Sequence, residues 1–214
     1  MNITKPKIEK YISQNCSEAT EQLYNLERKT YLQQLYPQMV SGKVQGQFLK
    51  MISRMIQPKH ILEIGTFTAY STICLAEALR AEGSIDTIEI DEELKGEIEL
   101  NLQQANILNK TTLHIGNALQ IITTLNKPYD LIFLDADKAF YPAYFKLLSP
   151  KMKVGSFLLA DNVLWDGKVA EPILESDKAT RGVDEFNRLI KEDSTFENII
   201  LSVRDGLMLA YKTK

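Results

Sequence analysis

Residues 130–136 read Asp-Leu-Ile-Phe-Leu-Asp-Ala, residues 138–149 follow with helical spacing, and residues 155–161 read Gly-Ser-Phe-Leu-Leu-Ala-Asp. Two short apolar runs, each ending on an acid and joined by a helix, describe a β–α–β unit whose strands are covered on both faces. Working outward, the rhythm repeats. HILEIG (60–65) precedes a helical stretch over 70–81, SIDTIEI (84–90) precedes 92–106, and TTLHIG (111–116) precedes 117–126. At the far end, ENIILSV and GLMLAY are separated by Arg204 and Asp205, which reads as a terminal hairpin. Before residue 59 the pattern is helical, near 5–14, 18–35 and 43–57, with breaks at Pro37 and Pro58. The expectation is one α/β domain over 1–214: a doubly wound, mostly parallel seven-stranded sheet over 59–214, with a C-terminal antiparallel hairpin and an N-terminal helical extension over 1–58.

Composition agrees with one ordinary domain. The chain has 214 residues, 44% hydrophobic and 25% charged, which excludes disordered and fibrous classes. No apolar run approaches the ~20 residues of a membrane span, and the opening MNITKPKIEKYISQNC lacks the apolar core of a secretory leader. Cys16 and Cys74 make neither a disulfide framework nor a metal cluster. A cytoplasmic location is expected. The net charge of −3 is uneven: residues 1–60 hold nine Lys/Arg against four Asp/Glu. That excess suits either a polyanion-facing surface or a solvated helical face.

In such sheets ligands bind beyond the carboxyl ends of the strands. The first strand ends Glu63-Ile64-Gly65-Thr66-Phe67-Thr68-Ala69-Tyr70-Ser71. A glycine there lets backbone approach a ligand, and Ser71 stands where a hydroxyl caps free N–H groups or meets a carboxylate. The dinucleotide fingerprint is absent, since Thr, Ala and Ser follow where two more glycines belong. Glu89 closes the second strand 24 residues after Gly65, the reach of a side chain that accepts ribose hydroxyls, and Asp91 reads as a helix cap. Asn117 and Ala118, after the third strand, either flank an adenine or simply begin a helix. The fourth strand ends Asp135-Ala136-Asp137-Lys138 and the fifth Asp161-Asn162. Either Asp alone would be an ordinary cap. Together they gather oxygen donors without His or Cys, the chemistry of a hard cation, Mg²⁺ before Ca²⁺. Tyr141 and Trp165 either wall a flat acceptor or pack. His60 and His114 lie on strands and read as core or strand-end residues. Residues 166–182 read as a charged loop that closes over an acceptor or meets a partner subunit.

Four blocks carry a resemblance: M-x-S with G-Q-F-L, then E-I-G-T-F-T-x-Y-S, then F-L-D-A-D-K with a later Tyr, then A-D-N-V-L-W-x-G-x-V. From about Met39 onward the chain resembles the cation-dependent class I O-methyltransferases, the caffeoyl-CoA and catechol group with its small bacterial members. The resemblance implies S-adenosylmethionine as methyl donor, held by Met39, Val40, Ser41, Glu63, Gly65, Ser71, Glu89, Ala118 and Asp135. It implies Mg²⁺ (or Mn²⁺ or Ca²⁺) on Asp135, Asp161 and Asn162, Lys138 as base or electrostatic partner, and an acceptor near Asp137, Tyr141 and Trp165. Ala69 departs from the usual glycine. The expected reaction is methylation of a catechol-like or vicinal-diol small molecule. The alternatives are a 5-hydroxyuridine of tRNA and a non-catalytic donor-binding module. A homodimer is expected from the family.

Overall fold

The computed structural model describes residues 5–214, so the first four residues of the N-terminal stretch scanned for a leader lie outside it. In chain order the elements are α1 (Pro6–Asn15), α2 (Glu21–Gln33), α3 (Gly42–Ile56), β1 (His60–Ile64), α4 (Tyr70–Ala76), β2 (Ser84–Glu89), α5 (Lys95–Gln104), β3 (Thr111–Ile115), α6 (Ala118–Thr124), β4 (Tyr129–Leu134), α7 (Tyr141–Leu148), β5 (Met152–Asp161), α8 (Lys178–Glu192), β6 (Phe196–Leu201) and β7 (Leu207–Lys212). The strands form a mixed seven-stranded sheet in the order β3-β2-β1-β4-β5-β7-β6. That is the expected class, with the expected antiparallel C-terminal pair. No described helix is long and apolar enough to cross a membrane.

The chain divides into two compact units, one of which runs from Lys7 to Ala118. There β1 and β2 pair in parallel with Ile61 opposite Ile85, and β2 and β3 with Ile88 opposite His114. Ile61, Leu62, Ile85 and Ile88 are buried; full burial of such a side chain contributes about 1.5–3 kcal/mol. The strand-borne histidines are structural, as expected: His114 Nε2 lies 3.0 Å from the buried Asp86 carboxylate, and His60 Nδ1 lies 3.2 Å from Ser84 Oγ. Helix α3 approaches α4 closely at Gly46, where a Cβ would stand 2.7 Å from the Tyr70 ring. Lys50 and Arg54 of α3 both pair with Glu77, and Ser53 Oγ donates to the Leu75 carbonyl. The helix expected over 70–81 stops at Ala76. The Arg80 N–H is drawn out to the Pro58 carbonyl and the chain turns through Glu82, in left-handed backbone, to reach β2.

The other unit holds Leu119–Lys214 together with Lys5 and Pro6 among the described residues. Strand β4 pairs in parallel with β5, β5 antiparallel with β7, and β7 antiparallel with β6. Strand β5 begins earlier than its apolar run: Tyr129 faces Met152 but Leu131 faces Phe157, so the extra residues bulge out around Gly155. A second correction concerns 166–182, expected to be loop throughout. Residues 178–182 form the first turn of α8, whose Asp177 cap accepts the Thr180 N–H at 3.0 Å. Val183, Phe186 and Ile190 bury one face of that helix, and this helical spacing is what marks it.

Candidate functional site

The loop after β1 is held by a buried hydroxyl network. Glu63, fully buried, accepts from Thr87 Oγ1 at 2.7 Å and from Thr72 Oγ1. Thr66 Oγ1 lies 2.6 Å from Thr87 Oγ1. Because Thr87 commits its proton to Glu63, Thr66 is the donor of that pair. Glu63 thereby ties the loop at Thr66 and the helix at Thr72 to the strand beneath. Glu89 acts from β2, accepting the backbone N–H groups of Phe67 (2.7 Å), Ile90 (2.8 Å) and Asp91 (3.0 Å). Gly65 bends the chain with φ of +99°. Ser71 sits in the first turn of α4, and Asp91 caps the turn that follows it, as expected. Val40 and Ser41 are buried just ahead of α3, with the Met39 side chain exposed, and Ala118 opens α6.

The acidic strand ends form a second cluster. Leu134 of β4 faces Ala160 of β5, so the next residues, Asp135 and Asp161, leave adjacent strands side by side, about 4.8 Å apart in the ladder direction. Between them runs a chain of hydrogen bonds. Lys138 Nζ donates to Asp135 Oδ1 at 2.8 Å and to Tyr141 Oη at 2.8 Å, and Tyr141 Oη shares its one proton between the carbonyls of Asp161 (3.0 Å) and Leu134 (3.2 Å). Asp161 Oδ1 accepts the Asn162 N–H at 2.8 Å, with Asn162 in left-handed backbone. Burial works against the charge on Lys138, but the Asp135 carboxylate, Tyr141 and Asp161 outweigh it and hold the pKa above the ordinary lysine value. Burial also pushes the Tyr141 phenol upward, keeping it neutral.

Two expectations about the acceptor side change in character. Tyr141 is fully buried and lies under the strand ends, so it braces Lys138 rather than walling a ligand. Asp137 is exposed and spends Oδ1 on the Ala139 N–H at 3.0 Å. Trp165 remains half-buried with its ring centroid 6.0 Å from Lys138 Nζ. Its loop is fixed where the N–H groups of Val163 and Leu164 donate to Gly206 and Asp205, and that of Asp166 to the Asp205 carboxylate. Asp135, Asp161 and Asn162 supply oxygen donors only. Among the described residues no group of three or more His, Cys, Asp or Glu side chains is arranged for a metal. Two carboxylates and an amide, against one fixed ammonium, fit a hard dication that keeps waters, not a thiophilic metal.

Residues 13–213 match the family model described as O-methyltransferase. The chain belongs to that family. The O-methyltransferase chain is 33% identical over 175 residues to the catechol O-methyltransferase of Niastella koreensis, covering 78% of this chain and 79% of that one. It is 34% identical to caffeoyl-CoA O-methyltransferase 2 of Populus trichocarpa, covering 82% and 76%. Among solved structures it resembles TomG of Streptomyces achromogenes, an O-methyltransferase in complex with SAM, at 30% identity and a TM-score of 0.87, covering 97% and 96%. A Bacillus cereus O-methyltransferase in complex with SAH gives a TM-score of 0.89 at 27% identity, covering 97% of each chain.

Some residues of this O-methyltransferase were invisible to motif reading. Thr87 carries a signal, a hydroxyl inside an apolar strand. Asn187 of α8, which donates to the Val163 carbonyl at 2.8 Å, carries none. Nor does Asp205, whose carboxyl is raised above the usual range by burial and by the neighbouring Asp166.

Proposed function

We propose that the chain transfers the methyl group of S-adenosylmethionine to a hydroxyl of a catechol-like or vicinal-diol small molecule, with a divalent cation as cofactor. The observation that carries this reading is the placement of Asp135 and Asp161 on adjacent strand ends around the buried Lys138–Tyr141 pair. The donor is supported by the SAM and SAH complexes of TomG and the Bacillus cereus enzyme, and the acceptor class by the catechol enzyme of Niastella koreensis.

Asp135, Asp161 and Asn162 would hold the cation. When bound, a hard dication favours the ionised form of a nearby hydroxyl whose free pKa is about 10. The chain's own groups do the rest. The Glu63 network and Glu89 fix the loop that takes the donor, so its sulfonium methyl is presented in one orientation. Lys138, held by its bonds to Asp135 and Tyr141, stands beside the acidic strand ends and supplies positive charge for the developing oxyanion. Trp165 offers the flat, partly open surface for an aromatic acceptor. The acceptor oxygen forms a bond to the methyl carbon as the carbon–sulfur bond breaks. The hydroxyl proton leaves to solvent and the sulfonium becomes the neutral thioether of S-adenosylhomocysteine. The exposed Tyr11, Leu32, Leu35 and Tyr36 of the N-terminal region support a homodimer in solution.

The test is methylation of a catechol panel, and of unmodified and hydroxylated tRNA, with labelled donor, with magnesium or with EDTA. Catechol turnover lost in EDTA is expected. Asp161→Ala should lower kcat by at least about a hundredfold while calorimetric affinity for S-adenosylhomocysteine stays within about threefold, under the ~1.4 kcal/mol that a decade represents. Full activity of Asp161→Ala in EDTA refutes the cation; methylation of tRNA alone refutes the small-molecule acceptor.

A further inference from the structure

The loop after β1 holds two non-glycine residues in left-handed backbone within three positions, Phe67 at φ +49° and Ala69 at φ +69°. Neither side chain favours that region. Such a conformation persists only where the surroundings over-determine it. Glu89 fixes the Phe67 end. The Ala69 end is fixed through the peptide that links it to Thr68. Its N–H donates to the Thr66 carbonyl at 2.9 Å, and its carbonyl, on Thr68, accepts Asn101 Nδ2 of α5 at 3.0 Å. Thr30 of α2 adds a third tie, with Oγ1 3.1 Å from Thr68 Oγ1. Thr30 Oγ1 donates there and also reaches the Leu26 carbonyl of its own helix at 3.0 Å. Thr30, Thr68 and Asn101 are all buried, and water is not at hand to replace a lost partner.

We propose that Asn101, seconded by Thr30, is a positioning residue for the methyl donor: it locks the Thr68–Ala69 peptide against flipping, and so holds the loop in the form that binds S-adenosylmethionine. The inference rests on the donor assignment made above. Without the Asn101 amide, the Thr68 carbonyl is buried and unpaired. Rotating that peptide relieves the carbonyl and takes Ala69 out of the left-handed region together. The free protein then populates a flipped loop, and apparent affinity falls by the fraction still competent. The chain carries alanine where glycine would hold this φ at no cost, so the lock matters more here than it would with glycine.

The experiment is calorimetric binding of S-adenosylmethionine and S-adenosylhomocysteine to wild type, Asn101→Ala, Ala69→Gly and the double variant, with kcat and the donor KM in parallel. Asn101→Ala is expected to weaken binding about tenfold, ~1.4 kcal/mol, and to raise the donor KM with kcat at saturation largely kept. Ala69→Gly in the same chain should restore most of that loss, because glycine removes the drive to flip. Unchanged affinity in a folded Asn101→Ala overturns the proposal. So does a loss that Ala69→Gly does not restore, which marks plain core damage. Should Asn101→Ala fail to fold, Thr30→Val against Thr30→Ser decides. Weaker binding in the first alone supports the lock, and equal binding in both overturns it. No binding by the wild type refutes the donor assignment instead.

Discussion

Gly182 is the position at which one methyl group should most damage the acidic site. It lies in the first turns of α8, and a Cβ built there would stand 2.9 Å from Ala139 Cα and 3.0 Å from the Ala139 carbonyl oxygen, closer still to the Lys138 carbonyl oxygen. Every one of these atoms is backbone, so none yields by rotating a side chain. Ordinary contact begins at 3.4 Å, so the turn carrying Lys138 must retreat by at least 0.5 Å at Ala139, and by more at the Lys138 oxygen. The Lys138 bonds to Asp135 and Tyr141, both 2.8 Å, would then pass the ~3.2 Å limit of a good hydrogen bond. A misplacement of about 1 Å costs on the order of a hundredfold in rate, so a kcat loss of about 10- to 100-fold is expected for Gly182→Ala. Overpacking of this kind costs about 1–3 kcal/mol, a Tm decrease of about 2–12 °C at this chain length. The assay is initial velocity on a catechol at saturating donor, with a thermal melt and donor calorimetry alongside. Gly96 provides the control. It is helical, a Cβ there meets nothing within 4 Å, and Gly96→Ala should keep its rate and gain roughly 0.5–1 kcal/mol. A folded Gly182→Ala enzyme with wild-type kcat would refute the argument that α8 sets the position of Lys138.

Two further outcomes concern groups outside the site. Burial works to raise the Glu77 carboxyl, but its bonds to Lys50 and Arg54 outweigh that and hold it below the ordinary glutamate value. Its stabilising contribution is therefore complete above the unfolded value of about 4.3 and is lost as pH falls through the lower folded value. Urea melts between neutral and acid pH should show a shallower acid-side decline for Glu77→Gln; an unchanged slope refutes the assignment. Burial pushes the Cys74 thiol up to about 12, whereas Cys16 is half-exposed. A thiol reagent should titrate Cys16 in the native protein and Cys74 only after denaturant, and rapid native labelling of Cys74 would contradict its burial.

Strand positions were readable because a strand covered on both faces must be apolar throughout, and HILEIG, SIDTIEI and DLIFLDA have no other economical reading. The acids were readable for the complementary reason. Asp135 and Asp161 interrupt that pattern at equivalent ends, and register sets them side by side. Helix α8 escaped because Lys178, Arg181 and Asp184 surround its apolar positions with charge, so a strongly amphipathic helix reads as a charged loop unless Val183, Phe186 and Ile190 are counted at their spacing. The early start of β5 escaped too, since Lys153 and Val154 are exposed in the bulge and break the apolar run. Tyr141 shows a different limit. A tyrosine three residues after a lysine suits both a ligand wall and a buried brace, and only its hydrogen bonds to Leu134 and Asp161 decide.

What composition and spacing conceal most completely is backbone strain. Among the described residues, nine non-glycine positions have left-handed φ, and five of them, Phe67, Ala69, Asn162, Trp165 and Asp166, fall in the loops after β1 and β5. For Phe67, Ala69 and Trp165 this backbone costs about 1–2 kcal/mol each, so chance does not gather them in these two loops. The groups that hold them come from elsewhere in the chain: Glu89 and Asn101 for the first loop, Asn187, Asp205 and Gly206 for the second. Glu89 apart, which its place at the end of the second strand marks, these restraining residues lie outside the family blocks whose backbone they hold, and each is unremarkable in sequence, an amide on a helix or a residue of the hairpin turn. A motif thus marks where an O-methyltransferase meets its ligands, whereas the rigidity of that meeting place depends on residues that only the folded chain brings to it. Variants of Asn101 and Gly182 should accordingly change binding or rate without altering a single motif residue.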